Sequence, residues 1–244
     1  MGSDIPIEGR IPFLDITIPI HWENHALLMF VLWFVVVPAA VIFLRFGKIA
    51  PRTWGIPRGT PKWAWPELCW TVHKRLLYAA IFLTLGAVGF AMMLTGGLSG
   101  TLHSFFGLAT LFLGTLQVVS AWYRGSHGGR KNPAADPEDR QTWGGDHFDM
   151  TPRRWWFEAW HKTAGYFTLF CAGGAVATGL SQFWLPGIAV AFAAVVAVSL
   201  LLSVILQGLG RHHDTYMSVY GSHPDNPFNK RRYAKLFEDQ SKKP

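Results

Sequence analysis

The sequence predicts an all-α membrane protein of five transmembrane helices, four of them forming a core, with the N-terminus outside and the C-terminus in the cytoplasm. Three observations carry this. Half of the 244 residues are hydrophobic and only 15% are charged. No Asp, Glu, Lys or Arg occurs between Leu76 and Tyr123, or between Thr163 and Gly210. The mean hydropathy is positive although the net charge is +7, so the charges must be gathered into a few segments. A disordered chain has the opposite balance, which excludes disorder for most of the sequence.

A bilayer core needs about 20 apolar residues at a rise of about 1.5 Å each. Five segments qualify, at 26–44, 76–94, 102–122, 163–185 and 187–209. Residues 1–25 form an outer tail, polar and dotted with proline, and no signal peptide is expected ahead of the first span. Residues 26–209 make the membrane domain and 210–244 a basic cytoplasmic tail. The connections at 96–101 and at Leu185-Pro186 are tight hairpins on one side. Those at 45–75 and 123–162 are long and polar and lie on the other, and 125–143 reads as irregular.

Charge sets the orientation. Of the 22 basic residues, seven lie in the first long connection, seven in the second and seven in the tail, leaving Arg10 alone on the opposite side. Positive loops stay in the cytoplasm, so the basic excess reports membrane orientation, and nucleic acid is not an expected partner. The expected setting is a plasma membrane or a bacterial inner membrane, with lipid as the surrounding partner. Cys69 and Cys171 differ too much in depth to pair, and without a Cys-x-x-Cys-His motif covalent haem attachment is excluded.

Four of the ten histidines form a pattern. His25 opens the first span, His73 precedes the second, His103 opens the third and His161 precedes the fourth. Because consecutive helices alternate in direction, His25 and His103 share an outer level, and His73 and His161 an inner one. The levels stand about 25 Å apart if roughly 17 helical residues separate them. An imidazole from each of two facing helices is what bis-histidine ligation of a haem iron requires. His103 and His161 are each followed four residues on by glycine, Gly107 and Gly165. Position i+4 lies one turn along on the same face, where a missing side chain leaves room for a flat macrocycle. Gly86, Gly89, Gly173, Gly174 and Gly179 discriminate less, since small residues serve helix packing in membranes generally.

Other readings compete for these residues. Histidine and tryptophan suit the headgroup level on their own account. His21 is an alternative outer ligand, His212 and His213 are alternative inner ones, and His127, His147 and His223 are expected to be solvated. A proton-coupled transporter would keep an ionisable group at mid-membrane, and these spans hold no carboxylate or basic group. Structural zinc would want about four ligands per site, where each level offers two. Near the inner level Lys74, Arg75, Lys162 and Arg45 form a basic rim that would attract an anionic reductant or haem propionates, although retention charge alone explains each equally well.

The run His25-Ala26-Leu27-Leu28-Met29 with Trp33, Pro38 and Arg45, then Trp70-x-x-His73, His103-x-x-x-Gly107 with Gln117, and His161-x-x-x-Gly165, resembles the transmembrane cytochrome b561 family. The resemblance covers about 22–209. It implies two non-covalent b haems and one-electron transfer across the membrane, from a cytosolic reductant such as ascorbate to an outer acceptor such as monodehydroascorbate or a ferric chelate. The 123–162 connection is longer than in compact members, the basic tail runs well past the fifth span, and no DOMON-type domain is expected in front. A cytochrome b subunit serving quinol or a docked dehydrogenase is the other expectation. The partners are then a small-molecule donor and acceptor, with a redox partner protein or a second copy of the chain. The row Trp155-Trp156-Phe157-x-x-Trp160 offers either a docking surface or an interfacial belt.

Overall fold

A computed structural model describes residues 5–53, 55–57, 60–65, 67–125, 139–143 and 150–241. The protein is mainly helical. Among the described residues five helices are long and apolar enough to cross a membrane: α1 (Trp22–Gly47), α2 (Leu68–Thr95), α3 (Leu102–Trp122), α4 (Pro152–Gln182) and α5 (Pro186–Gly208). Two shorter helices follow, α6 (Thr215–Tyr220) and α7 (Pro227–Ser241). The class is therefore an all-α, multi-pass membrane protein. Along α5 no residue is buried, and Val190, Val198, Leu200, Leu201 and Val204 turn outward, an arrangement stable in lipid and costly in water.

Helix ends follow local chemistry. α2 stops at Gly96, whose φ of 71° opens a Schellman turn in which Gly97 N–H donates to the Met92 carbonyl at 2.9 Å. Thr101 Oγ1 accepts from Ser104 N–H and caps α3. Pro186 begins α5 at a position where its missing N–H costs nothing. α2 and α4 start well before the apolar windows at 76 and 163, because the polar and aromatic turns ahead of those windows are also helical. His73 and His161 thus sit inside α2 and α4, ahead of the apolar windows.

The chain divides into two compact units, the first made of Met1–Ile42, His73–Val118 and Lys162–Val204. Its core gathers Phe30, Leu32, Trp33, Phe34, Val37, Ala80 and Ala172. Pro38 would collide with the carbonyl one turn back in a regular helix, and α1 instead widens into a π-helical turn at Val31–Val36 just before it. The wider turn buries three successive residues, Leu32, Trp33 and Phe34. Trp33 Nε1–H donates to Thr84 Oγ1 at 3.1 Å, and the Thr84 hydroxyl donates to the Ala80 carbonyl at 2.7 Å. At the N-terminus, where only a tail was expected, β1 (Glu8–Ile11) and β2 (Ile16–Pro19) pair antiparallel. Asp15, at a φ of 52°, turns the hairpin and pairs with Arg10. Gly9 lies against Leu94, and the Trp22 indole donates to the Pro6 carbonyl at 2.8 Å.

The second unit is Phe43–Val72, Val119–His161 and Ile205–Pro244. Here the first long connection and the tail are joined by backbone hydrogen bonds. Ile56 N–H donates to Val219 O at 3.0 Å, Ser222 N–H to Arg52 O and His223 N–H to Thr53 O, both at 3.1 Å. Ile56, Tyr216, Val219 and Tyr220 form its core. Buried Asn229 donates to the carbonyls of Gly221 and His223. The tail is thus a folded part of this unit.

Candidate functional site

In the first unit the outer-level histidines come together. The rings of His25 on α1 and His103 on α3 stand 6.1 Å apart between centroids, at 77° to one another. Two imidazoles on opposite sides of one metal ion, each bonded at about 2 Å, place their ring centres about 6 Å apart, so the spacing fits axial ligation of a haem iron. His103 Nδ1 lies 2.8 Å from the Ala175 carbonyl on α4. A carbonyl can only accept, so Nδ1 carries the proton and Nε2 keeps its lone pair. Metal-bound histidines are commonly held by this kind of bond. The alternative outer residue, His21, is exposed and turns to Glu23 at 3.0 Å.

The glycines separate into two groups. A Cβ on Gly107 or Gly165 would meet no heavy atom within 4 Å, although both are half-buried, so each leaves room for a flat group one turn from its histidine. Gly114, Gly174 and Gly179 are closely packed. A Cβ on Gly114 would press on Ile81 and Trp33, one on Gly174 on Phe106, and one on Gly179 would stand 2.9 Å from His103 Nδ1. Sequence reasoning had left Gly179 among glycines of little weight. Its spacing from Ala175, one turn earlier on the same helix, is the signal that marks it.

The two inner-level histidines belong to different units. In the first, His73 Nδ1 donates to the Ala40 carbonyl of α1 at 3.2 Å, leaving Nε2 as the unprotonated nitrogen, as in His103. In the second, the His161 ring stacks on Phe157, at 5.1 Å between centroids and 27° between planes. Of the proposed basic rim, Lys74, Arg75 and Lys162 are exposed, and Arg45 is half-buried with its guanidinium over Phe46. His212, exposed beyond α5, is held below its ordinary range by partial desolvation and by the charges of Arg45 and Lys48. His223 is bonded to Asp225. His127 and His147 lie outside the described residues.

A buried arginine escaped the sequence reading. Arg154, only 5% exposed, donates through Nε and Nη2 to Glu158 Oε1 at 3.2 and 3.0 Å. Its guanidinium lies 4.9 Å above the Phe157 ring. The spacing Arg154, Phe157, His161 places all three on one face of α4. Among the described residues no three His, Cys, Asp or Glu side chains converge on a metal-sized site. Cys69 and Cys171 are both buried and not joined in a disulfide.

The fold and these residues define a multi-helix membrane protein that brings two imidazoles, His25 and His103, together near helix ends. Comparison with known proteins finds no matching family model, curated protein or solved structure.

Proposed function

We propose that this protein carries electrons across a membrane through two b haems, as the resemblance to cytochrome b561 implies. The carrying observation is the approach of His25 and His103 with His103 locked by Ala175 in the tautomer a ligand needs. On this reading His25 and His103 hold the outer haem, and the sequence pattern assigns His73 and His161 to the inner one. Gly107 and Gly165 give the macrocycles room. A bound haem would supply one-electron redox chemistry at its iron, held by the two histidines. The chain contributes the ligands and an apolar surround, while Lys74, Arg75, Lys162 and Arg45 supply attraction for an anionic donor such as ascorbate. The outer acceptor is monodehydroascorbate or a ferric chelate. The positive-inside distribution supports an outer N-terminus and an inner C-terminus.

A second reading keeps the haems and makes the chain a cytochrome b subunit fed by quinol or a docked dehydrogenase. It is favoured by the exposed row of Trp155, Trp156 and Trp160. The test is spectroscopic. The purified chain should show b-type bands in a reduced-minus-oxidised spectrum and two haems by pyridine haemochrome. His103→Ala should lose one haem and His161→Ala the other. A colourless chain expressed with ample porphyrin refutes the reading, and rapid reduction by quinol but not ascorbate selects the subunit over the ascorbate-driven carrier.

A further inference from the structure

We infer that Arg154 receives the carboxylate of a propionate from the haem held by His161, through its Nη1. The inference rests on the haem reading above and adds a residue that neither the histidine pattern nor the exposed basic rim contains.

Three observations within the second unit carry it. Arg154 is 5% exposed, and Nη1 is buried with no hydrogen-bond partner among the described residues, while Nε and Nη2 are both committed to Glu158. A buried guanidinium donor is costly to leave unmatched, so the position calls for one more acceptor. Arg124 lies within electrostatic reach of the same guanidinium, a second positive charge near it. Finally, Arg154 stands seven residues from His161, two turns or about 10 Å along the same helix face. Phe157 between them stacks on the imidazole and carries the guanidinium on its ring. A carboxylate attached to a group bound at His161 can reach Nη1, and burial shields that nitrogen from dissolved anions. A planar guanidinium suits a carboxylate better than an ammonium does.

The test uses the full chain in detergent, and redox titration of both haems reads it out. Removing a cation near the iron favours the more positive ferric form. Arg154→Gln should therefore lower the midpoint of the haem that His161→Ala removes, by about tenfold in the ferrous-to-ferric ratio or about 59 mV for one electron. The other haem should not move, which also shows that the variant is folded. Arg154→Lys should recover part of the loss. With haem dimethyl ester, which lacks the propionate charge, the midpoint difference between wild type and Arg154→Gln should be larger than with haem, because the guanidinium is then no longer neutralised by the carboxylate. If the two still differ by the same amount with the ester, or if neither variant shifts the midpoint, the inference is overturned. The second outcome would mean that the guanidinium charge is not felt at the iron. Haem dimethyl ester in the wild-type chain alone tests the same contact should Arg154→Gln fail to fold. A wild-type chain that takes up no haem overturns the haem reading instead.

Discussion

Gly179 of α4 lies against the ring of His103 on α3, so close that a Cβ would stand 2.9 Å from Nδ1 and 3.1 Å from Cε1. One turn earlier on α4, the Ala175 carbonyl accepts the proton of that same Nδ1. The bond and the missing side chain act together: the ring can reach the carbonyl only because nothing projects from position 179.

Gly179→Ala should therefore disturb the imidazole, whereas Gly107→Ala should disturb only what lies beside it. Either change removes a glycine from a helix interior, a gain of about 1 kcal/mol in propensity. At Gly107 the new Cβ meets no protein atom, so thermal stability of the haem-free chain should hold or rise while uptake of the outer haem falls. At Gly179 the new methyl must push the ring away from Ala175, and haem content should drop from two per chain toward one despite the propensity gain. Haemochrome and melting curves measured side by side separate the two effects. Equal behaviour of both variants would remove the special role of Gly179.

The buried pair Trp33–Thr84 makes a second, independent prediction. The indole N–H has its acceptor in Thr84, and the Thr84 hydroxyl has its own acceptor in Ala80. Thr84→Val keeps the shape but strands the indole proton in an apolar core, at a cost of about 1–3 kcal/mol. In a cycle with Trp33→Phe, the coupling should be about 0.6–1.7 kcal/mol, the range found for such bonds inside membranes. Unfolding in detergent measures it, and a coupling near zero would mean that the bond does not contribute.

How far these features were legible depends on how local their causes are. The third span was bounded correctly at 102–122, because Thr101 and the preceding glycines act on the helix start within a turn. The early starts of α2 and α4 were missed, since Lys74, Arg75 and the Trp155–Trp156 pair lower the apolar signal without breaking the helix. The hairpin escaped because its strands have four residues each and its turn uses Asp15 rather than glycine at positive φ. The meeting of His25 with His103 follows from alternating helix direction, so the sequence could anticipate it. The burial of Arg154 could not be anticipated. Its electrostatic neighbours Arg124 and Tyr220 are far away in the chain, the second on a tail that read as a basic extension.

The junction of the first connection with that tail rests on two glycines. Gly55 and Gly221 both have positive φ, 67° and 98°, and a Cβ on either would come within 2.3 Å of a backbone carbonyl, Val219 O or Thr53 O. Backbone cannot step aside as a flexible side chain can. Gly55→Ala or Gly221→Ala should release the tail, at a cost above the roughly 1 kcal/mol of ordinary glycine replacement. Limited proteolysis should then cut near 221–226 in the variants and spare the wild type, with haem content unchanged. A protected tail in both variants would show that the pairing is not needed to hold it.

Tyr220 makes the same unit sensitive to alkali. Burial pushes its phenol above the ordinary value near 10, and the cation of Arg154 only partly offsets this. The folded state thus holds the proton that the unfolded chain releases first. Stability from this group is complete below about pH 10 and falls as pH rises through the folded value, because the unfolded chain then binds fewer protons. Replacement by phenylalanine keeps the ring in the cluster with Ile56, Tyr216 and Val219 and removes the titrating proton. Proteolysis of the tail measured from about pH 8 to 11 should accelerate steeply in wild type above about pH 10 and much less in Tyr220→Phe. Lysines and exposed tyrosines titrate alike in both proteins and cancel in the comparison. Parallel curves would mean that the alkaline weakness lies elsewhere.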